Sequence, residues 1–256
     1  MPPKMTRRAW LRLGVYGTLL GVGAYAFVGE HRWLRVRRLA FAHSTPCRIV
    51  QLSDIHYKGD QAYWRRVIQQ VNTLQPDLVC FTGDLVEDAN WLPEALEILR
   101  HCTAPVYGVP GNHEHWSHAP VDALEAAFEA TGGAWLTWQW VDLPDYNLVL
   151  IGADEMRLPK AIPELGFRLL LTHYPAHADR LGDQHFDLIL AGHSHGGQIR
   201  IPFYGAPLLP GKVGPYDRGL FHTPAGPLYV NPGIGTYYIN LRFACRPEIT
   251  VFDLGG

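Results

Sequence analysis

Residues 47–56, CRIVQLSDIH, hold the pattern that decides the fold. An apolar run at residues 49–52, too short for a helix, leads directly into Ser-Asp-Ile-His. Runs of the same kind recur along the chain, each bounded by Gly, Pro or Asp, at residues 78–81, 106–109, 148–151, 169–171 and 188–190. Each run predicts a short buried strand.

Between these runs, apolar residues fall at helical spacing. The helical stretches contain Trp64, Val67, Ile68, Val71 and Leu74, then Leu92, Leu96 and Leu99, and later Val121, Leu124 and Phe128. Strands that alternate with helices predict an α/β domain with buried sheets. After Gly196 the sequence is rich in Gly and Pro, which favours strands and turns, and residues 249–254 predict a final strand. We find no internal repeat or linker, so one domain follows the N-terminal segment.

The composition excludes several classes of protein. With 47% hydrophobic, 12% aromatic and 18% charged residues, the chain is not disordered and can bury a sizeable core. Four cysteines without a Cys-x-x-Cys pair exclude a disulfide-stapled miniprotein and do not suggest a structural zinc site. Residues 1–43 carry eight Lys/Arg against Glu30 alone, whereas the rest of the chain has 14 basic and 23 acidic residues. The basic excess belongs to the N-terminal segment, so we expect no nucleic-acid partner.

The first thirty residues have the features of a bacterial export signal. RRAWL at residues 7–11 precedes an uncharged run at residues 13–28, which contains the small-residue site AYA at residues 24–26. Paired arginines followed by an aromatic residue and a leucine resemble the twin-arginine type of signal, which exports folded proteins. We therefore predict a twin-arginine-type signal peptide or membrane anchor over residues 1–30, with the twin-arginine export machinery as a partner. A domain over residues 31–256 would then be exported, and be periplasmic or associated with the cell membrane.

The sequence does not decide whether this segment is cleaved, is retained as a membrane anchor or is an ordinary helix. The uncharged run would span about 24 Å as a helix, short of the ~30 Å hydrocarbon core, which makes cleavage plausible. A retained anchor that also uses Trp10 and Leu11 is nearly as plausible, and an ordinary N-terminal helix is the third alternative. Residues 32–41, RWLRVRRLAF, alternate partly between apolar residues and arginine, which favours a surface strand over a basic strip on a membrane.

Polar side chains directly follow five of the predicted strands. They are Asp54 and His56, Asp84, Asn112 and His113, His173, and His193 and His195. Loops at the carboxyl ends of strands are where α/β proteins build their sites, so we expect these side chains to meet. The pairs 54/56 and 193/195 are two residues apart, and in extended backbone both members of a pair would point the same way. Small neighbours, chiefly Gly, would let the backbone approach the site closely.

This set of side chains favours metal binding. Two carboxylates, one asparagine carbonyl and four imidazoles (Asp54, Asp84, Asn112, His56, His173, His193 and His195) are mixed oxygen and nitrogen ligands. Such ligands suit Zn²⁺, Mn²⁺ or Fe better than Ca²⁺. Seven ligands exceed what one ion takes while it leaves a position for substrate, whereas two ions that share a carboxylate would fit.

The same segments resemble the five signature motifs of the calcineurin-like metallophosphoesterases. The matching residues are Asp54-x-His56, Gly83-Asp84, Gly111-Asn112-His113-Glu114, His173 and Gly192-His193-x-His195, in that order. The resemblance implies a four-layer sandwich of two packed mixed β-sheets flanked by helices. It implies that Asp54, His56 and His195 hold one ion. It implies that Asn112, His173 and His193 hold the other and that Asp84 bridges the two. Asn112 and His113 would contact substrate, and His113 would be the catalytic residue that protonates or stabilises the leaving oxygen.

The resemblance predicts a metal-dependent phosphoester hydrolase with two divalent ions, of Mn, Zn or Fe. Two ions would clamp the phosphoryl oxygens and lower the pKa of a bridging water, so that hydroxide is available near neutral pH. The bond attacked would be a phosphodiester, pyrophosphate or phosphomonoester bond.

The C-terminal segments resemble one subgroup of this family. GPYDRGL at 214–220, YVNPGIG at 229–235 and RPEI at 246–249 are similar to exported or membrane-attached bacterial phosphoesterases. Some of these act on the pyrophosphate of UDP-2,3-diacylglucosamine, which implies a lipid-linked substrate and membrane association. A soluble nucleotide is the alternative substrate. The alternative from a different functional class is a non-catalytic scaffold protein with the same fold. The presence of His113 with all seven ligands argues against it.

Other residues near the motifs receive simpler interpretations. Glu114 is expected to anchor its loop through hydrogen bonds, and Glu87 to be a surface residue. Cys80 lies in an apolar run and is expected to be a buried thiol. Spacing leaves the disulfide state of Cys47, Cys80, Cys102 and Cys245 open, as it does the oligomeric state.

Overall fold

The computed structural model describes residues 6–255 of the 256-residue chain. The α-helices are α1 (Arg7–Ala24), α2 (Gln61–Thr73), α3 (Leu92–Leu99), α4 (Asn112–Trp116) and α5 (Val121–Glu129). A π-helical turn, Tyr25–Gly29, continues α1, and short 3-10 turns occupy Glu30–Arg32, Ala89–Trp91, Pro144–Tyr146, Pro175–Arg180 and His195–Gly197.

The strands form two sheets. They are β1 (Arg35–Phe41), β2 (Cys47–Leu52), β3 (Leu78–Phe81), β4 (Val106–Gly108), β5 (Ala134–Trp135), β6 (Trp140–Leu143), β7 (Leu148–Gly152), β8 (Phe167–Leu171), β9 (Leu188–Ala191), β10 (Gly219–Thr223), β11 (Gly226–Val230) and β12 (Glu248–Leu254). The predicted apolar runs lie in these strands, except that Val109 is one residue beyond β4. The predicted helical stretches lie in α2, α3 and α5, except that Leu74 is one residue beyond α2.

Both sheets have six strands and are mixed. The first has the order β1-β12-β2-β3-β4-β5, with the β12–β2 pair antiparallel and the others parallel. The second has the order β10-β11-β9-β8-β7-β6, with antiparallel pairs only at its two edges. Because β2–β4 are parallel to one another, as are β7–β9, the carboxyl ends of the central strands of each sheet share one edge.

The core lies in three layers, which explains why the central strands are apolar on both faces. Side chains from both sheets, such as Ile49, Cys80, Leu150 and Leu169, are fully buried against one another between the sheets. The other face of the first sheet packs on α2, α3 and α5. The other face of the second sheet is covered by the Pro175–Arg180 turn and the loop that follows it. The prediction of two packed mixed sheets flanked by helices is confirmed.

Arg32 ends the preceding 3-10 turn, and residues 35–41 of the arginine-rich stretch form a strand, as its alternation predicted. It is β1, which pairs in parallel with β12 along all seven residues. Just before it, Glu30 is fully buried, and its carboxylate accepts hydrogen bonds from the backbone N–H groups of Ala244 (2.9 Å) and Cys245 (2.6 Å). Residues 30–41 are therefore held against residues 244–254 by hydrogen bonds.

Residues 7–24 of the predicted signal or anchor form α1. Within residues 6–255, no helix combines the length and the apolarity that a membrane crossing requires. The predicted boundary between residues 30 and 31, and the function of the N-terminal segment, stay predictions.

The four cysteines are buried and carry free thiols. Burial raises the pKa of the Cys80 thiol well above its ordinary value, so this side chain is an inert part of the inter-sheet core. The expectation of a buried thiol at Cys80 is confirmed.

Leu169 lies in the close-packed layer between the sheets. Neighbouring side chains there cannot move enough to fill the cavity that a smaller residue would leave. We expect Leu169→Ala to lower the free energy of unfolding by about 2–5 kcal/mol. The exposed Leu165 is the matched control, and Leu165→Ala should change the same free energy by less than about 0.5 kcal/mol. Urea unfolding followed by circular dichroism would measure both, and equal effects would mean that the inter-sheet packing is misassigned.

Candidate metal centre

The sequence-predicted site residues lie together where the carboxyl ends of the two sheets meet. The first sheet supplies Asp54 and His56 after β2, Asp84 after β3, and Asn112 and His113 after β4. The second sheet supplies His173 after β8, and His193 and His195 after β9. All eight side chains are buried or nearly so, with exposures between 0% and 8%. None of the predicted site residues is left outside this cluster.

One group of ligand atoms centres on His195. Its Nε2 atom lies 3.1 Å from Nε2 of His56 and 3.4 Å from Oδ1 of Asp54. These three residues meet the geometric requirement for holding one ion.

A second group centres on His173. Its Nε2 atom lies 3.1 Å from Oδ1 of Asn112 and 3.1 Å from Nδ1 of His193. Asp84 joins the two groups, because its Oδ2 atom lies 3.2 Å from Nε2 of His173 and 3.5 Å from Nε2 of His56. Asp84 therefore stands where a bridging ligand would.

These spacings fit a pair of metal ions. Ligand atoms about 2.0–2.2 Å from an ion lie about 2.8–3.6 Å from one another in octahedral or tetrahedral geometry. The distances above, from 3.1 to 3.5 Å, fall within that range. The donor set of imidazoles and carboxylates with one amide oxygen suits the transition metals named above.

The second nitrogen of His173 and that of His193 each face a backbone carbonyl, which assigns the tautomer and leaves the other nitrogen free as a ligand. Nδ1 of His173 donates to the Thr82 carbonyl at 2.7 Å, and Nε2 of His193 donates to the Gly211 carbonyl at 2.7 Å. Nδ1 of His56 lies 3.4 Å from Oε1 of Glu87. Glu87 is partly exposed, as expected of a residue near the surface, but its carboxylate also packs against a ligand histidine and contacts Lys58.

The surroundings favour the deprotonated, metal-binding form of most of these side chains. Burial opposes a charge on Asp84, but the facing His173 and His56 outweigh it and hold the pKa of that carboxyl below its usual range. Burial lowers the pKa of His193 to about 3, helped by the neighbouring His173, and burial also lowers the pKa of His195. Burial acts in the same direction on His173, but Asp84 raises the pKa of this group to about 9. At neutral pH, His173 must therefore lose a proton when an ion binds.

The backbone at the site is left-handed, which corrects the expectation of extended residue pairs. The φ angles are 52° and 44° at Asp54 and His56, and 65° and 50° at His193 and His195. Asp84 has φ 61°. Non-glycine residues are uncommon in this region, and such strain is concentrated at functional sites. The paired side chains converge because the backbone turns sharply at each of them.

Small residues let the strand ends approach one another, as the sequence predicted. A Cβ atom on Gly83, whose φ is +93°, would lie 2.6 Å from the backbone nitrogen of Gly111. A Cβ atom on Gly192 would collide with Ser53 and with the carboxylate of Asp54. Larger residues here would separate the loops that carry the ligands.

Glu114 fixes two of these loops, which confirms its expected anchoring role. Its buried carboxylate accepts three backbone hydrogen bonds, from Gly111 (2.7 Å), Asp84 (2.9 Å) and Leu85 (2.7 Å). A single side chain thereby sets the positions of the second and third motifs relative to each other.

His113 faces the cavity beside the ligands. Its ring packs edge-on against His56, with 4.7 Å between centroids, and against Trp116 at 5.0 Å. Burial lowers the pKa of His113, so its ring is neutral near pH 7. His113, His56 and Asp84 also lie close enough to hold an ion, so proximity alone does not separate its role from that of the ligands.

Sequence reasoning missed two residues that cover the site. The Tyr237 ring lies 5.1 Å from the His113 ring and 5.6 Å from the His56 ring, between centroids. The Gln198 amide holds it there, by donating to the Tyr237 carbonyl at 3.1 Å and accepting from the Tyr237 backbone nitrogen. The sequence gives a signal for Gln198, which follows the Gly pair of the last motif, but none for Tyr237.

Comparison with known proteins identifies the family to which this site belongs. Residues 47–197, more than half of the chain, match the family model described as calcineurin-like phosphoesterase. The chain is a calcineurin-like phosphoesterase. It is therefore a metal-dependent phosphoester hydrolase of a family that uses a dinuclear divalent metal site.

Several bacterial relatives match this phosphoesterase over nearly its whole length. An uncharacterised metallophosphoesterase of Bacillus subtilis, YkuE, is 31% identical, and the alignment covers 98% of each chain. The phosphodiesterase YaeI of Escherichia coli is 29% identical over 98% of this chain and 99% of its own. The UDP-2,3-diacylglucosamine pyrophosphatase LpxG of Chlamydia trachomatis is 26% identical over 86% of this chain and 89% of its own.

The seven predicted ligands can be tested by ion content. We expect His195→Ala to lower the bound metal from about two ions per chain, because it removes the atom at the centre of one group. The loss of affinity should exceed the roughly 10–100-fold that loss of a supporting hydrogen bond causes. The exposed His222 is the matched control. Elemental analysis of both variants would decide, and full metal content in His195→Ala would remove this residue from the ligand set.

Proposed function

We propose that this phosphoesterase hydrolyses a phosphodiester or pyrophosphate bond in a lipid-linked substrate, of the kind exemplified by UDP-2,3-diacylglucosamine. The observation that carries the proposal is the shape and chemistry of the cavity over the candidate metal centre. The cavity has a volume of about 610 Å³. Its floor contains ligand side chains and His113, and much of its wall is apolar.

The apolar wall comes from separate parts of the chain. Trp116 of α4 forms one side, Leu208 and Leu209 form another, and Tyr238 and Ile239 form a third. Such a wall suits an acyl or other hydrocarbon group attached to the phosphate, because its burial is favourable by about 25 cal/mol per Å² of apolar surface. A soluble nucleotide would gain little from these contacts, which is why it is the second candidate.

The names of two relatives support the same substrate class. The Escherichia coli relative is a phosphodiesterase, and the Chlamydia trachomatis relative is a pyrophosphatase of UDP-2,3-diacylglucosamine. Among the described residues, Lys212 is the one Lys or Arg that lines the cavity. Its ammonium group could pair with a second phosphate of a pyrophosphate substrate.

The site residues have two separate roles in this reaction, metal binding and hydrogen bonding to the substrate. Asp54, His56 and His195 would hold one ion, Asn112, His173 and His193 the other, and Asp84 would bridge them. The bound ions would neutralise charge on the phosphoryl group and lower the pKa of a bound water. His113 stands at the cavity surface next to this group, where its neutral ring can donate a hydrogen bond to a phosphoryl or leaving-group oxygen. Tyr237 and Trp116 pack on the His113 ring and restrict its orientation.

The substrate class can be tested with a panel of phosphoesters. We expect the purified enzyme with Mn²⁺ or Zn²⁺ to cleave bis-p-nitrophenyl phosphate faster than p-nitrophenyl phosphate. Diacylated UDP-glucosamine in detergent should be cleaved with a higher kcat/KM than UDP-N-acetylglucosamine. A preference for the soluble nucleotide sugar would favour the second candidate, and no turnover with full metal loading would favour a non-catalytic scaffold.

The role of His113 can be separated from metal binding. We expect His113→Ala to lower kcat on the aryl diester by roughly 10²–10³-fold, because it removes a hydrogen-bond donor to the phosphoryl or leaving-group oxygen. Its metal content should stay near two ions per chain. His118, an exposed residue of the same loop region, provides the control His118→Ala. Loss of metal in His113→Ala would instead make His113 a ligand.

We further propose that the protein works outside the cytoplasm, at or near the membrane. The paired arginines and the uncharged run of the N-terminal segment support this location. Replacing Arg7 and Arg8 with lysine should leave the protein in the cytoplasm, because the twin-arginine machinery recognises the arginine pair. Cell fractionation would measure this, with Arg12→Lys as the control, and unchanged export of the double variant would rule out this route.

A further inference from the structure

An exposed apolar surface borders the cavity at its open side. We call it the mouth surface and define it by six side chains: Ile201, Phe203, Tyr204, Leu208, Tyr238 and Ile239. Leu208, Tyr238 and Ile239 also line the cavity, so the surface begins where the cavity ends. Phe203 and Tyr204 lie in a tight turn, closed by hydrogen bonds from Tyr204 and Gly205 to the Ile201 carbonyl.

The members of the mouth surface are unusually accessible for apolar residues. Phe203 is fully exposed, Leu208 and Tyr238 are each 81% exposed, and Tyr204 is 75% exposed. Single exposed apolar residues are normal, but several on two hydrogen-bonded segments beside a binding site indicate an interaction surface. The mixture of aromatic and aliphatic side chains is typical of segments that enter the interfacial zone of a bilayer.

The charge of the same segments points to an anionic partner. Residues 199–212, IRIPFYGAPLLPGK, contain Arg200 and Lys212 but no acidic residue. Arg200 pairs with Asp217 at 2.6 Å, so the exposed Lys212 supplies the positive charge of this segment. Residues 236–247, which carry Tyr238 and Ile239, also lack Asp and Glu. The folded part of the chain is acidic on balance, with 14 basic and 23 acidic residues after residue 43. The mouth surface is therefore a local exception, and an anionic bilayer surface would attract it electrostatically.

The mouth surface is also continuous with the N-terminal segment. The backbone nitrogen of Arg242 donates to the carbonyl of Ala26, at the end of the helical segment. The adjacent Phe243 exchanges backbone hydrogen bonds with Gln198 and Arg200, at the start of the mouth segment. The helix that carries the predicted signal or anchor thus emerges next to the loops that form the mouth surface.

We propose that the mouth surface docks on an anionic lipid bilayer, with Phe203 and Tyr204 in the interfacial zone. Docking would turn the open side of the cavity towards the membrane. The occupant is a lipid surface rather than a second copy of this chain, because the helix of the predicted signal or anchor emerges beside the same loops. The exposed Lys212 also favours an anionic partner over a copy with the same charge. This inference goes beyond the proposed hydrolysis, and its test does not require turnover.

The buried cysteines allow a direct measurement of docking in the full chain. All four native thiols are at most 7% exposed, so Phe203→Cys introduces one accessible site for an environment-sensitive NBD probe. Glu97→Cys, on the exposed side of α3, provides a control far from the mouth surface. Each labelled protein is mixed with vesicles of phosphatidylcholine, with or without phosphatidylglycerol, and with lipids that carry a quencher in their acyl chains.

We expect the emission of the probe at position 203 to shift to the blue and to be quenched by the labelled lipids, more strongly with phosphatidylglycerol present. The probe at position 97 should not respond. A protein that sediments with vesicles while its probe at 203 stays in water would overturn the proposal, because attachment would then come from the N-terminal segment alone. A blue shift that depends on protein concentration without vesicles would also overturn it, in favour of self-association.

A second variant tests the surface without a probe. Phe203→Ser combined with Tyr204→Ser should reduce sedimentation with anionic vesicles and leave hydrolysis of bis-p-nitrophenyl phosphate unchanged. Unchanged sedimentation would count against docking, whatever the hydrolysis assay shows. If the wild-type enzyme proves inactive, only the hydrolysis proposal fails, because the fluorescence and sedimentation results are independent of it.

Discussion

The carboxylate of Asp84 is the group on which the rest of the site depends. It is almost fully buried, and an isolated buried charge is too costly to persist without partners. Its Oδ2 atom faces His56 from one sheet and His173 from the other, and its Oδ1 atom accepts the backbone N–H of His113 at 2.8 Å. The ends of the two sheets must therefore meet at this point for the charge to be satisfied.

Each candidate ion would bind to both sheets. Asp54 and His56 share their group with His195 of the second sheet, and Asn112 shares its group with His173 and His193. Metal binding would therefore hold the two sheets together at one end, while the inter-sheet core holds them along their length. Ion affinity and sheet packing are then linked, because binding to the folded state alone adds to its stability.

The sequence predicts the fold and the residues of the site because the buried strands and the polar residues after them form a recognisable pattern. Strands buried on both faces are continuous apolar runs, and the residues after them must lie at one edge, so Asp54 and His195 could be placed together from the sequence alone. The backbone conformation could not be predicted, because left-handed φ at aspartate and histidine has no local sequence signal comparable to glycine. Glu87 and Tyr237 were missed for a different reason: only tertiary packing brings them to the ligands.

The pairing of β12 has a consequence for how the protein is made. The last strand lies between β1 and β2, the first two strands of the chain, and Glu30 bonds to residues just before that last strand. The first sheet cannot form completely until residues 248–254 have been synthesised, and contacts so distant in sequence form slowly. A chain that lacks residues 248–254 would leave β1 without its neighbour in the sheet.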